Sequence, residues 1–340
     1  MAKVVTFGEI MLRLSPPGYS RLVQADSLDV TYGGGEANVA VSIANYGGEA
    51  VLVTKVPDNL LGQAAVNHLR RYGVDTRHIL RGGERLGIYF LETGASQRPS
   101  KVIYDRKGSS ISQVQPGEFP WEEILRDAAW FHFTGITPAL GDNVAAVTLE
   151  AVQTAKKLGL TVSCDLNYRK NLWSPEKARA TMTGLMAYVD LAIGNEEDAE
   201  KVFGIKAPAS DVTAGRISEE GYRQVAAELA RRFNLRMVAI TLRESFSAFD
   251  NGWSALLYDG QEFYRSRRYQ IHIVDRVGGG DAFAGGLIYA LLEGYNAREA
   301  LEFAVAASCL KHTIPGDFNH VTREEVLALM KGDASGRVQR

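Results

Sequence analysis

HIVDRVGGGDAFAGGLIYALL, residues 272–292, is the stretch on which the reading of this chain turns. A strand-like run ending at Asp275 leads into three glycines, Gly278, Gly279 and Gly280, and Asp281 then opens an apolar-periodic helix. Glycines at the positive end of a helix leave main-chain N–H groups uncovered, and such amides form a cradle for an anion. Phosphate fits there. A carboxylate beside the cradle would compete with a permanently bound phosphate. It suits a transfer reaction, in which it takes a proton from an attacking hydroxyl while the amides stabilise the migrating phosphoryl group. The same letters also describe a plain helix start, with Asp281 as the N-cap after a glycine turn.

Working outward, TYGGGEANVA at 31–40 places Gly33, Gly34 and Gly35 before a second helix, with Asn38 on its first turn. Close approach of a polyhydroxy ligand to the backbone would call for such glycines, as would a tight turn. Short β-branched runs predict core strands at Val4–Phe7, Val51–Val56, Trp130–Thr134, Thr161–Asp165, Leu191–Gly194 and Met237–Leu242. Between them, apolar residues at intervals of three and four predict helices over 36–45, 59–72, 144–158, 175–188, 221–233, 282–293 and 297–312. That alternation predicts an α/β fold with a mainly parallel sheet flanked by helices. Residues 10–32 and 86–106 break the rhythm with strand-like stretches and no helix, and read as a small antiparallel β lid on one α/β domain spanning 1–340.

Composition narrows the function classes. Apolar residues make up 46% and charged residues 23%, and a net charge of -2 offers no basic field for a nucleic acid. Cys164 and Cys309 lie far apart in apolar runs, so they read as buried small hydrophobes rather than a disulfide pair. The start lacks a cleavable leader pattern and no apolar stretch approaches the ~20 residues that cross a bilayer. The expectation is a cytoplasmic protein without membrane or nucleic-acid partners. The tail after Lys331 is polar and reads as loose. His132 reads as a satisfied core histidine.

The pair GGGEANVA and DRVGGGD resembles the two signatures of the PfkB carbohydrate kinases, and the strand–helix order is similar to that family from Val4 to about Met330. The resemblance implies a ribokinase-like fold, with Asp281 as the base and Gly278, Gly279 and Gly280 as the anion hole. Within the family, FGEIMLRLSPP, IYFLETGASQRPSKVIYDR, FHFTGITPAL, CDLNYR and CLKHTIPGD look like the 2-keto-3-deoxygluconate kinases. This implies ATP-dependent phosphorylation of that sugar acid to its 6-phosphate, with other PfkB sugars such as ribose or fructose as the alternative. Carried over by resemblance, substrate contacts fall on Gly34, Asn38, Tyr89, Tyr104, Arg106, Ile136, Arg169 and Asp317. The two arginines suit a carboxylate, because guanidinium binds it with two prongs.

For the nucleotide, the resemblance implies Asn167, Arg169, Asn195, Thr241, Arg243, Gly278 and Gly280. Asp198, where the family has a Glu, would act on magnesium through water, and Glu196 and Glu197 read equally well as an acidic helix start. TLRESF at 241–246 departs from the family's glycine-bearing loop under ATP and would place Arg243 and Glu244 in that loop. Arg276 and Gly279 replace a common Thr and Ala. The resemblance leaves room for a monovalent cation beside ATP and Mg2+, and implies a homo-oligomer. Two rivals stand beside it: a Rossmann oxidoreductase, disfavoured by the late glycines and the acidic Asp281, and a non-catalytic sugar-binding protein.

Overall fold

Successive residues of a strand point to opposite faces, and Glu49–Val56 shows the consequence: Leu52 and Val56 enter one apolar layer while Val51 and Val53 enter another. A strand buried on both faces reads as a continuous apolar run, the mark of a parallel sheet with helices on each side. The computed structural model describes residues 2–195, 197–207 and 219–332.

The chain opens with β1 (Lys3–Phe7), β2 (Met11–Ser15), β3 (Asp29–Gly33) and α1 (Gly35–Asn45). Next come β4 (Glu49–Val56), α2 (Leu60–Arg71), β5 (Ile79–Arg81), β6 (Gly87–Glu92) and β7 (Lys101–Asp105). The middle holds α3 (Trp121–Leu125), β8 (Ala128–Thr134), α4 (Asp142–Lys157), β9 (Thr161–Asp165), α5 (Pro175–Met186), β10 (Leu191–Asn195) and α6 (Asp198–Phe203). The last third runs α7 (Glu219–Phe233), β11 (Met237–Ser245), β12 (Asp250–Tyr258), β13 (Phe263–Arg265), β14 (Tyr269–His272), α8 (Gly279–Leu292), α9 (Ala297–Lys311) and α10 (Arg323–Met330).

Strands β11, β10, β9, β8, β1, β4 and β5 lie side by side in parallel, and β12, β13 and β14 extend the β11 edge in antiparallel fashion. One face carries α1, α2, α8, α9 and α10, the other α3 to α7. Helix α8 is sandwiched: Phe283, Leu287 and Ile288 are fully buried, each side chain worth about 1.5–3 kcal/mol of burial.

All six expected strands and all seven expected helices form, with ends moved by a few residues. The β12–β14 hairpin edge had no counterpart in the sequence reading. β12 is buried along nearly its whole length, so it shows no alternation to detect. The strand before the glycines also ends earlier than expected, at His272, and Val274 and Asp275 instead donate to the His312 carbonyl. Strands β3, β2, β6 and β7 form a separate four-stranded sheet from the two segments expected of a lid. Its two outer pairings are antiparallel, but β2 and β6 run parallel, because each strand enters from the same side of the main sheet. Residues 333–340, where the loose tail was expected, lie outside the described residues, as does Glu196.

Candidate active site

A cavity of about 450 Å³ opens beyond the C-terminal ends of β9, β10 and β11, the edge at which open α/β sheets bind ligands. Its lining joins the heads of α1 and α8 to the underside of the smaller sheet. Every residue assigned a catalytic, sugar, nucleotide or magnesium role from the sequence lines it except Gly279; Gly33, Glu197 and Glu244 do not. That glycine is backed by the His312 ring, 2.3 Å from where a Cβ would stand, and its amide donates to the Arg276 carbonyl. The expected three-glycine hole therefore presents Gly278 and Gly280 to the cavity.

Gly278, not Asp281, caps α8. Its backbone is left-handed, with φ 83°, and a Cβ there would meet the Asp317 carbonyl oxygen at 2.0 Å. Asp281 sits on the first turn, where the leading amides of a helix lack helical acceptors. Its Oδ2 accepts a 2.6 Å bond from Asn38 Nδ2, and Asn38 Oδ1 in turn accepts from the Gly34 amide at 3.2 Å. One asparagine thus ties the two glycine clusters together and positions the carboxylate. Burial pushes the Asp281 pKa up to about 6, against the Asn38 bond, which favours the charged form. Gly33 and Gly34 are required by protein neighbours rather than by open approach to a ligand. A Cβ on Gly33 would strike the Asp317 carboxylate, and one on Gly34 the Glu9 carbonyl.

Tyr89 and Tyr104 face each other across β6 and β7, rings 5.9 Å apart. Tyr89 is buried and donates to both Asp317 oxygens at 2.6 Å, while Tyr104 is 42% exposed. Asp317 also accepts from buried Arg13 (2.8 Å), whose other arm reaches Asp275 (2.6 Å). Burial still raises the Asp317 pKa. Arg106 is buried in an ion pair with Glu9 and lies 5.4 Å from the Tyr104 ring centroid. Met11, Tyr89 and Leu91 pack on Val277, so the small sheet rests on the head of α8.

On the opposite wall, Asp165, Asp198 and Arg169 come together. Burial raises the Asp165 pKa well above its ordinary value, with Asp198 and Asp281 adding to the effect and Arg169 opposing it. Asp198 is also raised by burial, although it accepts the Tyr168 and Asn195 amides at 3.0 and 2.9 Å. Asn195 closes the turn into α6 by accepting the Glu197 and Asp198 amides. Asn167 has a left-handed backbone, φ 37°, a conformation asparagine tolerates better than most residues. Thr241 donates to the Gly194 carbonyl. Arg243 and Glu244 lie within strand β11, opposite Trp253 and Gly252, and not in a loop; Glu244 pairs with Arg268.

The sequence reading missed Asp165, Arg13 and Arg276 as site residues. Asp165 had a signal, since it closes a strand at the ligand-binding edge of the sheet. Arg13 had a weaker one: Leu12 and Leu14 mark one face of β2, which puts Arg13 on the other. His132 is fully buried and 2.8 Å from Ser163 Oγ, and burial lowers its pKa to about 3, while its Nε2 has no protein partner. Cys164 is buried and Cys309 partly so, and neither is bonded to the other. Among the described residues no helix is long and apolar enough to cross a membrane.

The crystal structure of a 2-dehydro-3-deoxygluconokinase from Thermotoga maritima is similar to this chain with a TM-score of 0.94 and 55% sequence identity, over 98% of this chain and 100% of that one. A 2-dehydro-3-deoxygalactonokinase of Haloferax volcanii is 36% identical over 335 residues, 98% of each chain. The Bacillus subtilis 2-dehydro-3-deoxygluconokinase is 28% identical over 95% of this chain and 94% of its own. The model of the family described as pfkB family carbohydrate kinase matches residues 1–321. A cavity assembled from two glycine-headed helices around one carboxylate is thus set in a sequence that matches that model over most of its length, and the chain belongs to the pfkB family of carbohydrate kinases.

Proposed function

We propose that the protein transfers the γ-phosphoryl group of ATP to O6 of 2-keto-3-deoxygluconate, the compound also called 2-dehydro-3-deoxygluconate. The observation that carries this reading is the Asp281 carboxylate, held by Asn38 at the glycine head of α8 and facing the cavity. A pKa of about 6 leaves it mostly ionised at neutral pH yet basic enough to accept a proton. As O6 attacks, the O6–H proton passes to Asp281, the O6–P bond forms, the bond from phosphorus to the β,γ-bridging oxygen breaks, and ADP leaves. Amides at Gly278 and Gly280 stabilise the charge on the phosphoryl oxygens.

The sugar acid lies under Tyr104 and beside Gly34, Ile136 and Asp317, with the small sheet excluding water as a lid. Arg106 and Arg169 bind its carboxylate, Arg106 with the guanidinium edge that Glu9 leaves open. Asn167, Asn195, Thr241 and Arg243 line the ATP side. Magnesium, when bound, would offset the charge of the ATP phosphates. Three or more clustered His, Cys, Asp or Glu ligands do not occur among the described residues, so the ion would take mostly phosphate and water ligands. Asp165 and Asp198 would hold it, Asp198 through water. A homo-oligomer would form along β7, the exposed edge of the small sheet.

The Haloferax volcanii relative favours a second reading, the galactonate epimer as substrate. A coupled ADP-release assay on both epimers and on neutral sugars tests the substrate. Asp281→Asn should lower kcat by about 10²–10⁴ with sugar affinity retained; a variant with the original turnover overturns the catalytic reading. Arg169→Ala should raise KM for the acid far more than for a neutral sugar, and equal losses would remove the carboxylate assignment.

A further inference from the structure

Lys311, the last residue of α9, is completely buried, although lysine is rarely enclosed without a partner for its charge. Its Nζ donates to two main-chain carbonyls, Asp275 O at 3.3 Å and Ile314 O at 3.2 Å. Those carbonyls belong to the two loops that build the anion cradle. The first loop runs from Asp275 into the glycines, and the second runs from α9 to Asp317, whose carbonyl packs against Gly278. The Asp275 carboxylate stitches the same loops from the other side, accepting the Val277 and Gly316 amides at 3.0 Å each and the Arg13 guanidinium.

An ammonium group seated on main-chain carbonyls does what a dehydrated monovalent cation does in the same setting, because both satisfy carbonyl dipoles with one positive charge of similar size. Desolvation lowers the Lys311 pKa, and Asp275, Asp317 and Asp281 oppose that shift only in part, with Arg13 adding to it. We infer that Lys311 is a positioning residue that serves as a built-in monovalent cation beneath the cradle, so that phosphoryl transfer needs no added K+ or NH4+. The inference rests on the phosphotransfer reading above and goes beyond it, since that reading assigns Lys311 no role and leaves a cation requirement open.

The test is the coupled assay at constant ionic strength, with MgATP and 2-keto-3-deoxygluconate, in tetramethylammonium chloride and then with K+ or NH4+ added. The wild-type rate should stay within about twofold across these salts, as expected of a site whose cation is covalent. Lys311→Ala should lose about 10²-fold in kcat in tetramethylammonium, with smaller changes in KM, because the cradle is displaced rather than the substrates' own contacts. K+ or NH4+ entering the vacated space should restore at least about tenfold of that loss. Lys311→Met, which fills the space without a charge, should be slow in every salt. Melting temperatures of each variant in each salt separate loss of folding from loss of positioning. A wild type that slows more than about fivefold without K+, a folded Lys311→Ala that no cation rescues, or a Lys311→Met with the original kcat would each overturn the inference. If Lys311→Ala does not fold, the wild-type salt series and Lys311→Met decide. A wild type inert toward sugar acids in every salt would instead overturn the proposed function.

Discussion

Asp281 and Asn38 form the smallest unit on which the proposed chemistry depends. With a folded pKa of about 6, against an ordinary 3.8, Asp281 is protonated and unable to accept the sugar proton at low pH. The rate should therefore rise with pH through about 6 and then level. The stability contribution has the opposite sense: folding gains most from this group below its unfolded pKa, where the buried carboxyl is neutral, and loses that gain as pH rises through 6. Asn38→Ala removes a bond to the charged form, so it should move the acidic limb to higher pH as well as lowering kcat. Buried Glu36, pushed up to about 7, titrates in the same range, but its carboxylate accepts from the Thr134 amide and the Thr137 hydroxyl rather than from Asn38. A limb that stays in place in Asn38→Ala would point to a group other than Asp281. The sequence placed Asp281 and Asn38 on their helices, but their bond joins positions 243 residues apart and no local pattern announces it.

At the scale of elements, helix α8 is held where it is by the left-handed Gly278 and by the tight fit of that glycine to the 312–317 loop. Gly278→Ala should destabilise the fold by at least about 1–3 kcal/mol, the cost of a strained left-handed residue, before the clash with Asp317 is counted. Urea denaturation checks this, and an unchanged midpoint would mean that the loop yields freely. Helices and parallel strands were legible because their apolar spacing is local and strong, as in α7, where Tyr222, Val225, Ala226 and Leu229 are buried on one face. The β12–β14 edge was not, since its pairing depends on distant partners and its residues are buried without period. The same holds for β2 and β6, whose parallel register across 71 intervening residues cannot be inferred from either strand alone.

Across the whole molecule, the proposed sugar side and the proposed nucleotide side meet through the small sheet. Its 94–99 turn reaches the β11–β12 hairpin, where the Ala248 amide donates to the Ser96 carbonyl and Tyr19 packs edge-on to Phe249. The outer edge of this sheet is β7, exposed along its whole length, with Val102 and Ile103 at 41% and 56%. An exposed apolar edge strand offers unpaired main-chain groups to another chain. Ile103→Lys should shift the protein from oligomer to monomer in sedimentation velocity with little loss of melting temperature. A wild type that sediments as a monomer at assay concentration would remove the proposed pairing.

The sequence by itself determined the alternation of strands and helices and the two glycine-headed helices, with Asn38 and Asp281 on their first turns. Each of these depends on spacing and residue chemistry within a few turns of chain. Only the tertiary structure decided that Gly279 turns away from the cavity, that Arg106 is already paired with Glu9, that Asp165 joins Asp198, and that Lys311 lies beneath the cradle. Burial and charge pairing are set by which distant segments pack together, and that information is spread over the whole chain rather than held in any one motif.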